Sequence, residues 1–84
     1  MKADNMFYVY VLESINFPDT FYVGYTADLK KRIDDHNKGF SSHTKKFAPW
    51  KLRYYSAFDS QERAEHFEKF LKSGNGRIFQ KKHF

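Results

Sequence analysis

Five side chains are of types, and at spacings, that could act together on a phosphate group: Tyr10, Tyr22, Arg32, His36 and Glu68. An arginine can hold phosphoryl oxygens through its planar fork of N–H donors. A carboxylate can hold a divalent cation that offsets developing charge. A tyrosine or a histidine can take a proton from an attacking water. The set therefore suits hydrolysis of a phosphate ester, provided that the fold brings these residues together.

Each of these residues also has an explanation that involves no chemistry. Tyrosines are common in strands, and an arginine on a helix is ordinarily a solvated cation. A helical histidine is often capped or half-buried, and a glutamate beside an apolar stripe can reach out to water. On spacing alone, a nuclease is the minority interpretation, and whether these residues can act together depends on the elements that position them.

Runs of aromatic and β-branched residues predict three strands, at 7–12, 21–25 and 51–58. The connection between the first two strands is short, which favours an antiparallel hairpin. In such a hairpin Tyr10 and Tyr22 can be cross-strand neighbours on one face.

A helix is predicted directly after the second strand. Gly24 lets the backbone turn or be approached closely, Thr26 can cap the helix, and Gly39 stands where a helix C-terminus favours glycine. Arg32 and His36 are four residues apart and share a helical face that borders the apolar stripe. The helix is therefore expected to point a cation and an imidazole towards the sheet.

A second helix is predicted from the capping-box spacing of Asp59 and Glu62 to about Lys72. Glu68 stands at the margin of its apolar stripe, so it is expected to point towards the sheet and the two tyrosines. A carboxylate placed there would need a cation to offset its burial.

The glycines in 74–76 are expected to end the second helix, and residues 77–84 could add a short basic helix. The element order is then β-β-α-β-α with a short C-terminal helix. This order predicts an α+β fold in which helices flank a three-stranded antiparallel sheet. A chain of 84 residues is expected to form one domain over residues 1–84.

The chain has 15 basic and 10 acidic residues, which gives a net charge of +5. A small basic domain is a candidate for polyanion binding, although the same charge can simply keep a protein soluble. The loop at 40–49 carries adjacent lysines and has no helical or strand period, and loops often hold functional residues.

Cysteine is absent, which excludes disulfides and zinc–thiolate sites and weakly favours a reducing compartment. No apolar run approaches the ~20 residues that a membrane span needs, and residues 1–5 contain no apolar signal core. A cytoplasmic protein that does not bind membranes is therefore expected.

Taken in order, Tyr8-Val9-Tyr10, Tyr22-Val23-Gly24, Arg32 with His36, and Glu68 resemble the motifs of the GIY-YIG nuclease domain. That family includes the N-terminal nuclease domain of a bacterial excinuclease, and the short stand-alone bacterial members are the most similar. The resemblance covers nearly the whole chain. It extends to the loop His43-Thr44-Lys45, to Pro49, and to the segment from Leu71 to Arg77.

The resemblance implies a role for each residue. Tyr22 would be the general base or a relay to it, and Tyr10 would orient the water or a phosphate oxygen. Arg32 would stabilise the pentacoordinate phosphate, and His36 would assist proton transfer or positioning. Glu68 would be the sole protein ligand of Mg²⁺ or Mn²⁺. A free tyrosine has a pKa of about 10, which makes it a weak base at neutral pH, whereas histidine lies near 6.5. The sequence leaves the choice of base between Tyr22 and His36 open.

Two features depart from the family pattern. Tyr8 stands where the name-giving glycine of the first motif would be, and Asn75 is the only candidate for an asparagine that larger members use after the glutamate. The sequence also has no added DNA-recognition domain, so specificity is expected to be structure-directed rather than sequence-directed.

The resemblance implies a metal-dependent endonuclease that hydrolyses phosphodiester bonds in DNA, with RNA left open, in a process such as DNA repair. Contacts to nucleic acid would come from the loop and the tail, through His43, Thr44, Lys45, Lys46 and Arg77. A homodimer or a protein partner is compatible with so small a domain. One alternative is a non-catalytic nucleic-acid-binding module on the same fold, and another is a protein-interaction domain that uses the aromatic surface.

Overall fold

A computed structural model describes residues 6–83. The segment 1–5, in which no signal core is expected, and Phe84 lie outside the described residues. The elements are strands β1 (Phe7–Ser14), β2 (Phe21–Thr26) and β3 (Trp50–Phe58), helices α1 (Leu29–Asn37), α2 (Gln61–Lys72) and α3 (Gly74–His83), and a 3₁₀ turn at Lys45–Phe47.

The strands form one antiparallel sheet in the order β2-β1-β3, so β1 is central and both neighbours pair with it. This confirms the predicted α+β fold. In the β1–β2 register, Tyr10 is opposite Gly24 and Leu12 is opposite Tyr22. The two tyrosines are therefore diagonal neighbours on one face, with ring centroids 6.3 Å apart.

The two faces of the sheet bury different clusters. One face packs against α2 and α3 through an apolar cluster of Val9, Val11, Val23, Ala64 and Leu71. The other face buries Tyr10, Leu12 and Trp50, which pack against Leu29 and Ile33 of α1 and the segment before β3. Because side chains alternate along β1, this one strand contributes to both clusters.

Local hydrogen bonds place the helix starts differently from the sequence expectation. Asp28, not Thr26, is the N-cap of α1, and its side chain accepts from the backbone N–H of Lys31. Ser60, not Asp59, caps α2. In both cases the residue directly before the helix supplies the side-chain oxygen that a free backbone N–H needs.

The break between α2 and α3 falls at Ser73, before the glycines of 74–76, which lie in the first turn of α3. Gly76 is buried, and a Cβ built on it would overlap the carbonyl of Phe70 and approach Leu71 Cα at 2.5 Å. The glycine is therefore required by close packing of α3 on the end of α2 rather than as a helix breaker. Gly39, with φ of 80°, does end α1 as expected.

Among residues 6–83, no helix combines the length and apolar character that a membrane crossing requires.

Candidate active site

A chain of buried hydrogen bonds joins β1, α1 and the loop before β3. The Tyr10 hydroxyl lies 2.9 Å from Nε2 of His36, and Nδ1 of His36 lies 2.7 Å from Oγ1 of Thr44. His36 is 0% exposed and Thr44 is 1% exposed. Both imidazole nitrogens are therefore bonded within the protein, and His36 has no free nitrogen with which to contact water or substrate.

The surroundings of His36 favour the neutral ring. Burial lowers the pKa of His36, the nearby charge of Arg32 lowers it further, and Asp35 acts in the opposite direction. A neutral imidazole donates at one nitrogen and accepts at the other, and its two hydroxyl partners can satisfy both roles. The structure thus gives His36 the geometry of a residue that holds Tyr10.

Arg32 joins this cluster through Tyr10. Its guanidinium donates a hydrogen bond to the Tyr10 hydroxyl, and this contact raises the pKa of Arg32. Burial raises the pKa of Tyr10 to about 12, against the opposing effect of the hydrogen bond from Arg32. Tyr10 is therefore a neutral phenol at physiological pH, fixed between a cation and an imidazole.

Tyr22 differs from Tyr10 in exposure and bonding. It is half-buried on the edge strand β2, and its ring lies 4.9 Å from that of His36 and 6.5 Å from that of Trp50. Within residues 6–83, no hydrogen bond to its hydroxyl is formed by another residue, so this hydroxyl can act on a water or a substrate.

Gly24 makes the close approach of the two tyrosines possible. A Cβ at this position would lie 2.6 Å from the Tyr10 hydroxyl and 3.1 Å from a ring carbon of Tyr22. The sequence expectation that Gly24 permits close approach is confirmed, and the groups that approach it are the two candidate site tyrosines.

Glu68 comes from α2, on the other face of the sheet, and stands apart from the hydrogen-bonded cluster. Its charge contributes to the raised pKa of Tyr10, so the two groups are within electrostatic range. Its side chain is 14% exposed, and one carboxylate oxygen lies 2.7 Å from Nζ of Lys72. The cation that offsets the carboxylate in this structure is therefore Lys72.

The donor set around Glu68 bears on whether it could hold a metal. No group of three or more His, Cys, Asp or Glu side chains suited to a metal ion exists among residues 6–83. Mg²⁺ commonly keeps several waters and uses one or two carboxylates together with substrate phosphates. A single half-buried carboxylate fits such a site, and a metal ion held by Glu68 would take over from Lys72 the role of offsetting its charge.

The residues expected to contact nucleic acid fall into different places. His43, Lys45, Lys46 and Arg77 are not buried, the first three in the loop before β3 and the last on α3. Thr44 is buried instead, because its hydroxyl holds His36 and its carbonyl accepts from Nε1 of Trp50 at 2.9 Å. Asn75, the candidate for the additional asparagine, is exposed in the first turn of α3.

Sequence reasoning missed the residues that fix this loop. Asn37 at the end of α1 accepts from the backbone N–H of Trp50 at 2.6 Å and donates to its carbonyl at 3.2 Å. Trp50 in turn holds the backbone of Thr44. The only sequence signal was the position of an asparagine at a helix end and of the one tryptophan after a proline, and neither identifies its partner.

Nearly the whole described chain matches one known family. The model of the GIY-YIG catalytic domain matches residues 6–82. This chain belongs to the GIY-YIG family, a family of nucleases. The prediction made from its motifs is thereby confirmed.

Among the proteins similar to this chain are bacterial proteins named UPF0213 proteins. UPF0213 proteins from Streptococcus pyogenes serotypes M3 and M1 are each 46% identical to this chain over 66 residues, which are 77% of this chain and 70% of the relative. The solution NMR structure of a UPF0213 protein from Bacillus halodurans has a TM-score of 0.55 and 32% sequence identity. It covers 90% of this chain and 80% of that one.

Proposed function

We propose that this GIY-YIG protein is a metal-dependent endonuclease that hydrolyses phosphodiester bonds in DNA. The observation that supports the proposal most is that Tyr10 and Tyr22 are neighbours near Arg32 and differ in how their hydroxyls are bonded. The Tyr10 hydroxyl is bonded to Arg32 and His36, whereas the neighbouring Tyr22 hydroxyl has no partner among the described residues. One phenol is thus held in place while the other is free to act.

Arg32 is the group that would bind the scissile phosphate. Its remaining N–H donors are available to phosphoryl oxygens, and its half-buried position strengthens a charge-assisted contact. Tyr10 and His36 act as positioning residues because they fix the guanidinium from inside the protein. Negative charge that develops on the phosphate during attack would be stabilised by a donor that is already in place.

Tyr22 is the better candidate for the base. His36 is fully buried and both its nitrogens are occupied, so it cannot reach a water directly. In the proposed reaction a water attacks phosphorus, the Tyr22 oxygen takes a proton from that water while the Tyr22 hydroxyl proton passes to solvent, and the bond from phosphorus to the leaving sugar oxygen breaks. The sugar oxygen then takes a proton from solvent. Substrate bound by Arg32 would place the water next to Tyr22.

Glu68 would hold Mg²⁺ or Mn²⁺ after release from Lys72. When bound, such an ion supplies positive charge that offsets charge on the phosphate. Because only one protein carboxylate is involved, we expect weak binding of the ion without nucleic acid. Because the ion would replace Lys72 as the partner of Glu68, metal binding would break this ion pair and release the Lys72 ammonium.

The substrate is proposed to be recognised by its structure rather than by its base sequence. We further propose that these residues act as one nuclease domain in the cytoplasm, in a process such as DNA repair. RNA is a second candidate substrate, and a homodimer or a protein partner is a candidate requirement for full activity.

The test is cleavage of branched, nicked and linear DNA by the purified protein, with and without Mn²⁺. Tyr22→Phe should abolish cleavage and preserve folding, because it removes only one hydroxyl. Tyr55→Phe is the matched control, since it removes a hydroxyl from an exposed tyrosine on β3. If Tyr22→Phe cleaves at the parent rate while Tyr55→Phe does too, the assignment of the base to Tyr22 is wrong.

The same assay separates an enzyme from the alternative, a non-catalytic nucleic-acid-binding module. Glu68→Gln should bind DNA and fail to cleave it at any concentration of Mg²⁺ or Mn²⁺. Glu62→Gln, which changes an exposed glutamate of the same helix, should cleave as the parent does. If the parent binds DNA but shows no metal-dependent cleavage of any DNA or RNA tested, the binding module becomes the better description.

A further inference from the structure

A wide groove of about 1180 Å³ lies beside the candidate active site, between the hairpin end of the sheet and helix α3. We call it the α3 groove. Five cations line it, together with two acids and a few apolar side chains. The charged residues are Lys51, Arg53, Lys72, Arg77, Lys81, Glu13 and Asp19.

One of the two acids in the α3 groove is already paired with cations. Glu13 lies 3.4 Å from Arg53 and 3.9 Å from Lys51, so one carboxylate faces two cations. Arg77 and Lys81 make no ion pair with another residue in 6–83, and they are four apart on α3 and therefore share a face. The groove thus presents an excess of positive charge to a ligand.

The α3 groove also exposes apolar surface among these cations. Phe21 at its border is 44% exposed, and Ile78 is 59% exposed. A duplex offers mainly phosphates and sugars at its surface, and its base faces are stacked inside it. A strand with unpaired bases offers phosphates to cations and base faces to an aromatic ring, which is how proteins bind single strands.

The groove is continuous with the candidate active site. Tyr22 lines it at the β2 edge. Lys72 lines it as well and is bonded to Glu68 at 2.7 Å. A strand in the α3 groove would therefore run to the proposed base on one side and to the proposed metal ligand on the other.

The wall of the groove formed by α3 is held rigidly. Gly76 packs directly on the end of α2. In addition, Nε2 of Gln80 donates to the carbonyl of Leu71 at 2.9 Å. Arg77 and Lys81 are thus carried on a fixed surface, which lowers the entropic cost of binding a ligand there.

From these observations we propose that the α3 groove binds a segment of nucleic acid with unpaired bases. Phe21 stacks on a base, and Arg77 and Lys81 contact phosphates. The inference rests on the proposed function for the nature of the ligand, and it adds that the strand adjoining the scissile phosphate is single-stranded. A branched substrate or a wholly single-stranded one would both supply such a segment.

The test measures binding without catalysis, by fluorescence anisotropy in the presence of EDTA. The probes are a labelled oligothymidylate, which cannot pair with itself, and a blunt hairpin duplex with the same label. Phe21→Leu keeps apolar volume but removes the ring, and it should weaken binding of oligothymidylate about fivefold or more. Phe21→Trp should restore binding, and neither change should affect the duplex.

The two cations of α3 are tested through the salt dependence of binding. Arg77→Ala and Lys81→Ala should each lower the slope of log affinity against log salt for oligothymidylate by about 0.7. Lys82→Ala is the matched control, because Lys82 is exposed on the same helix and does not line the groove. Its slope should equal that of the parent.

Several outcomes would overturn the proposal. One is a parent protein that does not bind oligothymidylate, and another is parent-like binding by Phe21→Leu, Arg77→Ala and Lys81→Ala. Equal losses on the duplex would show that the groove does not select unpaired bases. These results are independent of cleavage. A protein that cleaves DNA but whose groove variants bind oligothymidylate as the parent does refutes only this inference. One that binds through the groove but never cleaves refutes only the nuclease proposal.

Discussion

The two faces of the sheet bury side chains of different kinds. The face covered by α2 and α3 is an apolar cluster in which Val9, Ala64 and Leu71 are fully buried. The face covered by α1 buries hydrogen-bonding groups as well, namely the Tyr10 hydroxyl, both nitrogens of His36 and the Thr44 hydroxyl. No buried side-chain nitrogen or oxygen lacks a partner among the described residues.

This difference indicates a division of labour between stability and chemistry. Burial of apolar area stabilises a fold without requiring specific partners. A buried polar network stabilises little in net terms, but it fixes its members in one arrangement. We therefore expect changes in the apolar cluster beneath α2 to cost stability and changes in the hydrogen-bonded network beneath α1 to cost activity.

The largest expected effect on stability is at Leu71. Leu71→Ala should lower the free energy of unfolding by about 2–5 kcal/mol, because it opens a cavity where α3 packs on the end of α2. Urea denaturation measures the loss. Ile78→Ala on the neighbouring helix is the control, since Ile78 is 59% exposed and should cost far less. Equal losses in the two variants would contradict the assignment of the core.

On the other face, Arg32→Ala should reduce the cleavage rate by about 10²–10³-fold, as loss of a preorganised donor to a developing charge typically does. Its unfolding free energy should change much less than that of Leu71→Ala. Arg32→Lys should also be slow, because a lysine lacks the planar fork that contacts Tyr10 and phosphate together. Arg63→Ala on α2 provides the control for loss of an exposed arginine.

A substitution at Thr44 tests whether the buried hydrogen bonds contribute to cleavage by holding His36 in position. Thr44→Val keeps the shape but leaves Nδ1 of His36 without its partner, which should cost about 1–3 kcal/mol. We also expect slower cleavage and a changed tautomer of His36, read from its ring ¹⁵N chemical shifts. Thr44→Ser should restore both. Unchanged ring shifts in Thr44→Val would show that Thr44 does not position His36.

The smallest effect is a pH dependence of stability. The pKa of His36 is lowered in the folded state, first by burial and then by Arg32. Protons therefore bind the unfolded chain more readily, so stability is complete above about pH 6.5 and falls as the pH drops below it. The slope should reach at most about 1.4 kcal/mol per pH unit.

Urea midpoints of the parent and of His36→Gln, taken on both sides of pH 6.5, measure this dependence. The variant should lose the decline. His66→Gln, which removes an exposed histidine of α2, should keep the parent behaviour. A decline of the same size in His36→Gln would assign the pH dependence to other groups.

The sequence by itself determined the order and type of the elements. Aromatic and β-branched runs are strong strand signals, and a glycine at the end of a helical period is a strong stop signal, so the three strands and the end of α1 at Gly39 were predictable. The family motifs were predictable as well, because they are local strings such as Tyr22-Val23-Gly24. Helix starts were less certain, since Asp28 and Ser60 compete with neighbouring residues that can also accept hydrogen bonds.

Only the tertiary structure decided which side chains meet. Thr44 was expected at the surface and is buried beneath His36, and Glu68 has Lys72 as its partner. Gly76 was expected to end α2, but it lies within α3 and allows that helix to pack closely on the end of α2. Hydrogen bonds and close packing join residues far apart in the chain through distances and angles, and the spacing of residues along a sequence does not contain that information.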